Sequence, residues 1–211
     1  MTLIRALYPI YCSDSGVGHV CLSVCQYMQG AEFEVRLTVP STEPSDRREF
    51  MRDAVPPALR KLGCRRPLHG LRQWYTEQRY LRQFHGGGVA YIWPGASPRV
   101  YGQVKSRGHL LVMERINCHR ATARRILDDA YDRLGWPPAH GITDESTAEE
   151  QYKLELADLI FCPSPPVRKS LLEAGIPSDK FLPVSYGWDP VRINGTRRAL
   201  EPIDGLTLIF V

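Results

Sequence analysis

No stretch of the chain approaches the ~20 consecutive apolar positions that a helix needs to cross a bilayer. The opening MTLIRALYPIYC lacks a charged region followed by a separate apolar region and a cleavage site. It reads as a first strand rather than a signal peptide. Six cysteines are present (Cys12, Cys21, Cys25, Cys64, Cys118 and Cys162), and none forms a C-x-x-C pair. Cys21 and Cys25 stand four apart on an expected helix, but no adjacent histidine or acid completes a metal set. Scattered thiols without a signal peptide suggest a reducing cytoplasm, with the thiols acting as small buried hydrophobes. The excess of one charge sign is also small: 27 Lys and Arg stand against 23 Asp and Glu, for a net value of +4 and a pI of about 8.8. That is a mild bias toward anionic partners such as phosphates or lipid headgroups, too weak alone to argue for nucleic acid.

What is present suits a folded α/β chain. Hydrophobic residues make up 43% of the 211, enough to fill a core and to argue against disorder. The length fits one large domain, or a domain with an overhang. Residues 3–10 read as the first strand. The segment YCSDSGVGHVCLSVCQYMQG follows, in which Gly16 and Gly18 precede a helix running to about Met28, with Gly30 as its stop. Glycines at a strand-to-helix turn allow close backbone approach, and the N–H groups of a first helical turn attract phosphate. A dinucleotide fingerprint fits poorly. Cys21 takes the third glycine position, and the next strand, Phe33–Val39, ends in Pro-Ser-Thr rather than in the acid that binds ribose. A plain tight turn explains the glycines as well.

Residues 41–85 read as polar and helical. Ser45 or Asp46 is expected to cap a helix through Arg47, Phe50 and Met51, interrupted at Pro56-Pro57. Leu71, Trp74, Tyr75, Leu81 and Phe84 fall near one helical face, among Arg60, Lys61, Arg65, Arg66, Arg72, Arg79 and Arg82. Two accounts stay open: a solvated basic face over a buried aromatic stripe, or a dock for an anionic membrane or acceptor. Nucleic acid ranks third, because base-stacking aromatics would be exposed and these sit at core spacing.

Val89 to Trp93 and residues 109–113 read as strands, with a short helix over 98–105 between them. After the second of these come Glu114, Arg115, Asn117 and His119, then a helix over Arg120–Leu134. Polar groups thus gather at the carboxyl end of a buried strand, the edge where open α/β sheets bind ligands. A neutral imidazole can orient a hydroxyl and an arginine can stabilise phosphate. The alternative is structural, with Asn117 capping the helix and the others pairing at the surface. Residues 135–150 begin as a loop, and Asp144 or Ser146 is expected to cap the helix leading to Leu154. Leu159–Cys162 then forms a short strand. Ser164 sits at a helix cap with Pro165 at the first helical position, Gly175 and Pro177 end that helix, and residues 181–184 form another strand. Strand, helix, strand at this spacing is a βαβ unit with parallel strands.

The run ADLIFCPS, a helix closing on LLEAG, and then LPVSYGWDP resemble the end of the N-terminal domain in family 4 glycosyltransferases. These are retaining enzymes with two Rossmann-like domains, the GT-B architecture. The resemblance implies a Rossmann-like, doubly wound, mostly parallel sheet over residues 1–189, a linker over 190–204, and at 205–211 the first strand of a C-terminal donor-binding domain. It implies transfer of a sugar from a nucleotide-sugar donor to an acceptor hydroxyl, with no cofactor and no metal. The chain alone would catalyse little, since the glutamate pair eight apart that marks the donor domain is missing from it. Gly16, Val17, Gly18 and His19 would lie at the cleft near donor phosphates and acceptor. His119 would face the transferring sugar as the catalytic residue, with Glu114, Arg115 and Asn117 as substrate contacts and Ser164 and Gly187 at the cleft edge. Substituting His119 by alanine should then slow transfer with little loss of folding. Expected partners are the nucleotide-sugar, the acceptor, the C-terminal domain and the cytoplasmic face of an anionic membrane, without nucleic acid. The rival reading is a stand-alone Rossmann-like module that docks an anionic partner.

Overall fold

The computed structural model describes residues 1–56 and 69–185. Seven strands form one sheet in the order β3-β2-β1-β4-β5-β6-β7. They are β1 Thr2–Leu7, β2 Phe33–Val39, β3 Met51–Asp53, β4 Val89–Ile92, β5 Leu110–Glu114, β6 Leu159–Cys162 and β7 Phe181–Pro183. Every neighbouring pair is parallel. The fold is therefore a Rossmann-like α/β sheet, with all carboxyl ends on one edge.

Among the described residues six α-helices connect the strands: α1 Gly16–Tyr27, α2 His69–Leu81, α3 Pro98–Ser106, α4 Arg120–Leu134, α5 Asp144–Leu156 and α6 Pro165–Glu173. Right-handed crossovers dictate their faces. The chain winds one way from β1 to β3 and the other way from β4 to β7. Accordingly α1 packs Cys21, Leu22 and Cys25 against Ile4, Ala6, Tyr91 and Val112 on one face. Tyr80 of α2, Tyr101 of α3, Leu154 of α5 and Leu171 of α6 share the other face with Leu7, Ile92, Leu111 and Ile160. The central strand β4, VAYI, has side chains in the cores of both faces, as a strand covered on both sides must.

Three expectations are corrected. The first strand ends at Leu7 rather than at residue 10, for Pro9 has no N–H to offer the ladder. No helix runs through residues 46–51. A 3₁₀ turn at Pro44–Asp46 leads into the edge strand β3, in which Leu37 pairs with Met51. Met51 is buried in the α1-side core, so completing that core and the open edge of β2 outweighs local helix preference. The helix after β1 starts at Gly16 itself, not after Gly18.

Candidate functional site

The carboxyl edge of the sheet carries the turns after β1, β4, β5 and β6. The strand order reverses direction between β1 and β4, and such a switch point opens a crevice. Gly16 begins α1 with φ of 51°, and a Cβ on Gly18 would run into the Ser13 carbonyl oxygen. Gly16 is thus favoured by its left-handed backbone, and Gly18 is required by the close packing of the β1 turn on α1. His19 Nδ1 lies 2.5 Å from Asp14 Oδ1, and His19 Nε2 lies 3.4 Å from Ser23 Oγ. The Asp14 N–H donates to Asp46 Oδ2, and Arg48 stands 3.5 Å from the Asp14 carboxylate. This binds the glycine turn to the segment between β2 and β3. Val17 is exposed at the start of α1.

The turn after β4 is held from α2. The Gln73 side chain donates to the Gly95 carbonyl, while the Ser97 N–H and hydroxyl both donate to the Glu77 carboxylate. Gly95 lies against the turn after β1, where an added Cβ would stand 3.2 Å from Pro9.

The polar residues after β5 reach the same edge but divide between the two faces. Glu114 points to the α1 side, buried, and accepts a hydrogen bond from the Tyr91 hydroxyl. Arg115 turns the other way. Its guanidinium donates to Glu150 Oε1 at 2.8 Å and to the carbonyls of Asn117 and Cys118. Glu150 Oε2 also accepts from the Arg120 N–H at 2.6 Å. The acid thus sits at the positive end of α4, where an anion is favoured.

His119, not Asn117, is the N-cap of α4. Its Nδ1 accepts from the Ala121 N–H, and its own N–H donates to Ser170 on α6. The proton of the neutral ring is therefore on Nε2, 3.6 Å from Glu150 Oε2. Burial lowers the His119 pKa. The Glu150 carboxylate pulls the other way, Arg115 reinforces the lowering, and the Gln151 side chain opposes it. With a side chain only 3% exposed, the imidazole faces protein on every side. Ser164 is the N-cap of α6 as expected, but makes no side-chain cap bond. The cap of α5 is Thr143, which forms a reciprocal box with Ser146. Gly187, the linker and the final strand lie outside the described residues.

Glu150 is the hub that sequence reading missed. Its signal was an acid at helical spacing from Leu154 and Ala157, on the stripe α5 turns inward. Asp14, the partner of His19, was missed as well. It lay in plain view, five residues before the histidine.

The basic helix differs from the buried-stripe account. Leu81 and Phe84 are buried, but Leu71, Trp74 and Tyr75 are exposed, at 62%, 52% and 37%. Thr76, Glu77 and Tyr80 face the core instead. The ground given for ranking nucleic acid third therefore does not hold for Trp74 and Tyr75.

Cys12, Cys21 and Cys162 are buried thiols. Burial raises Cys12 to about 12 and Cys162 to about 11, and raises Cys21 well above the usual range, so they stay protonated. Among the described residues no cluster of three or more His, Cys, Asp or Glu side chains is placed to hold a metal, and no helix is long and apolar enough to cross a membrane.

A scan against protein-family models finds no match to the chain, and a search of the curated proteins finds none either. The likeness to family 4 stands on the quoted residues alone.

Proposed function

We propose that this chain is the acceptor-side half of a nucleotide-sugar-dependent glycosyltransferase of the retaining, family 4 type. One observation carries the reading: of α1, α3, α4 and α6, which follow the turns after β1, β4, β5 and β6, α1 is the one with neither a proline in its first turn nor a side-chain bond from its N-cap residue. The start of α4 is filled by Glu150 and capped by His119. Helix α6 begins with Pro165 and Pro166, which have no N–H. The start of α3 is held by Glu77 and has Pro98 at its first position. Ser15, the N-cap of α1, makes no side-chain cap bond, and the helix opens on a turn that only glycine fits, beside the switch point. A diphosphate leaving group gains negative charge during transfer, and first-turn N–H groups stabilise it there.

In this reading Gly16, Val17 and Gly18 offer backbone donors, and His19 offers a ring oriented by Asp14. Arg115, Asn117 and His119 shape the edge on the opposite face. The test is an assay of the protein as its gene encodes it, from start codon to stop codon, against UDP-, GDP- and ADP-hexoses. Acceptor-dependent release of nucleoside diphosphate is expected. Absence of release and of binding with every donor overturns the reading.

The exposed Leu71, Trp74 and Tyr75, beside exposed Arg79 and Arg82, favour a second reading. In it the chain is a module that docks an anionic surface through α2. The two readings are compatible if the acceptor is membrane-bound.

A further inference from the structure

A cavity of about 400 Å³ opens at the carboxyl edge on the face away from α1. It lies between the turns after β4 and β5 and helices α3, α4 and α5. Met113, Ile116 and Ile142 supply apolar wall, while Arg120, Glu149 and Lys153 supply charge. From these we infer that the cavity seats a monosaccharide-sized, hydroxyl-rich ligand that carries one anionic group.

Charge placement selects that class. Arg115 and Glu150 also line the cavity, but they are 7% and 9% exposed and hold each other and the start of α4. They are wall rather than ligand contacts. Arg120 differs: its side chain is 48% exposed, and its Nε is 3.7 Å from Glu150, beyond hydrogen-bond reach. Lys153 donates to Glu149 and lies 5.7 Å over the Tyr101 ring. The groups a ligand would meet are therefore two cations and one carboxylate, a single net positive charge. Arg120 suits a carboxylate or phosphate, with which it can form charge-assisted bonds. Glu149 accepts from hydroxyls and Lys153 donates to them. The apolar wall suits the C–H faces of a sugar ring. The volume is at the low end of ligand cavities, ~300–1,000 Å³, and suits a single ring rather than a whole nucleotide-sugar.

Only the use of this seat, as the place of an anionic sugar acceptor, rests on the transferase reading. The binding is tested on the 211-residue chain itself. Methyl resonances of Ile116, Ile142 and Met113 are followed by NMR as glucose 6-phosphate, glucuronate, glucose or inorganic phosphate is added. Both anionic sugars should shift these resonances, and glucose should bind about tenfold more weakly. Arg120→Gln should weaken the anionic sugars by about fivefold or more and leave glucose unchanged. Its side chain is exposed, and its backbone bond to Glu150 is retained. Silence from every sugar at about 20 mM overturns the inference. So does an equal response to phosphate alone, which would mark an anion site without sugar recognition. Methyl shifts without nucleotide release by the gene product would sink the transferase reading and leave this seat standing. Nucleotide release without methyl shifts would do the reverse.

Discussion

Removing the Glu150 carboxylate takes an acceptor from the Arg115 guanidinium and from the Arg120 N–H at once. Breaking a buried, hydrogen-bonded pair by deleting one member costs about 3–5 kcal/mol, far more than a surface pair is worth. Glu150→Ala should therefore lower stability in urea by about 3 kcal/mol. A loss below about 1 kcal/mol would mean that water, not Arg115, is what Glu150 meets. His119 belongs to the same cluster, and its burial changes the expectation that alanine there spares the fold. Loss of the cap alone costs about 1 kcal/mol. The ring also gives a pH signature. Its folded pKa lies below the ordinary 6.5, so as pH falls through 6.5 the unfolded chain takes up the proton first. The stabilisation is complete above that value and is lost as pH falls toward the folded pKa. His109 is shifted the same way, chiefly by burial and then by Arg5 and Arg107, and adds to the slope. His119→Asn retains a capping side chain and cannot titrate. Its urea midpoint should vary less between pH 7.5 and 5 than that of the parent chain, and an unchanged slope would count against a buried neutral ring.

At the scale of elements, the helix over Arg120–Leu134 was legible to the residue, because it is bounded by a polar turn and by Gly135. The strand Leu159–Cys162 and the helix after Ser164 were legible for the same reason: punctuation by proline and glycine is local. The edge strand Met51–Asp53 was not, since three residues are too few to show a period and its surroundings read as a helix. The site was half legible. Residue type and strand-end position brought the polar group to the right edge, but strand parity sends Glu114 and Arg115 to opposite faces. The hub Glu150 is placed by tertiary packing alone. Helix α2 shows how spacing misleads: its periodic aromatics sit at core spacing, yet Trp74 and Tyr75 are exposed. Their exposure predicts that the chain floats with vesicles containing about 30% anionic lipid at low salt and is released near 0.5 M salt, as a Debye length of a few ångströms requires. The double substitution Trp74→Ala, Arg79→Glu should abolish flotation with the fold intact. Flotation that survives it would place the contact elsewhere. Retention on single-stranded nucleic acid without vesicle binding would restore the partner class ranked third.

At the scale of the whole molecule, the winding order decides which substitutions matter. Among the described residues α1 is the one α-helix packed on its face, and it covers β1, β2, β4 and β5 at Val112 but not at Leu110, while α2, α3, α5 and α6 cover the other face. The two faces of β5 therefore meet different surroundings. Leu111 points into the many-helix side and is fully buried, whereas its neighbour Leu110 points to the α1 side, beyond the reach of α1, and is 43% exposed. Composition cannot separate these two leucines, and only the order of strands does. Leu111→Ala deletes packed methyl groups and leaves a cavity, so it should cost about 2–5 kcal/mol. Leu110→Ala removes a side chain already in water for nearly half its area, so it should cost under about 1 kcal/mol. Urea unfolding of the two variants side by side reads the difference directly, since both sit in one strand and share its propensity change. Equal losses would mean that the α1-side face at β5 is as fully covered as the other, and that the molecule is layered more symmetrically than its strand order requires.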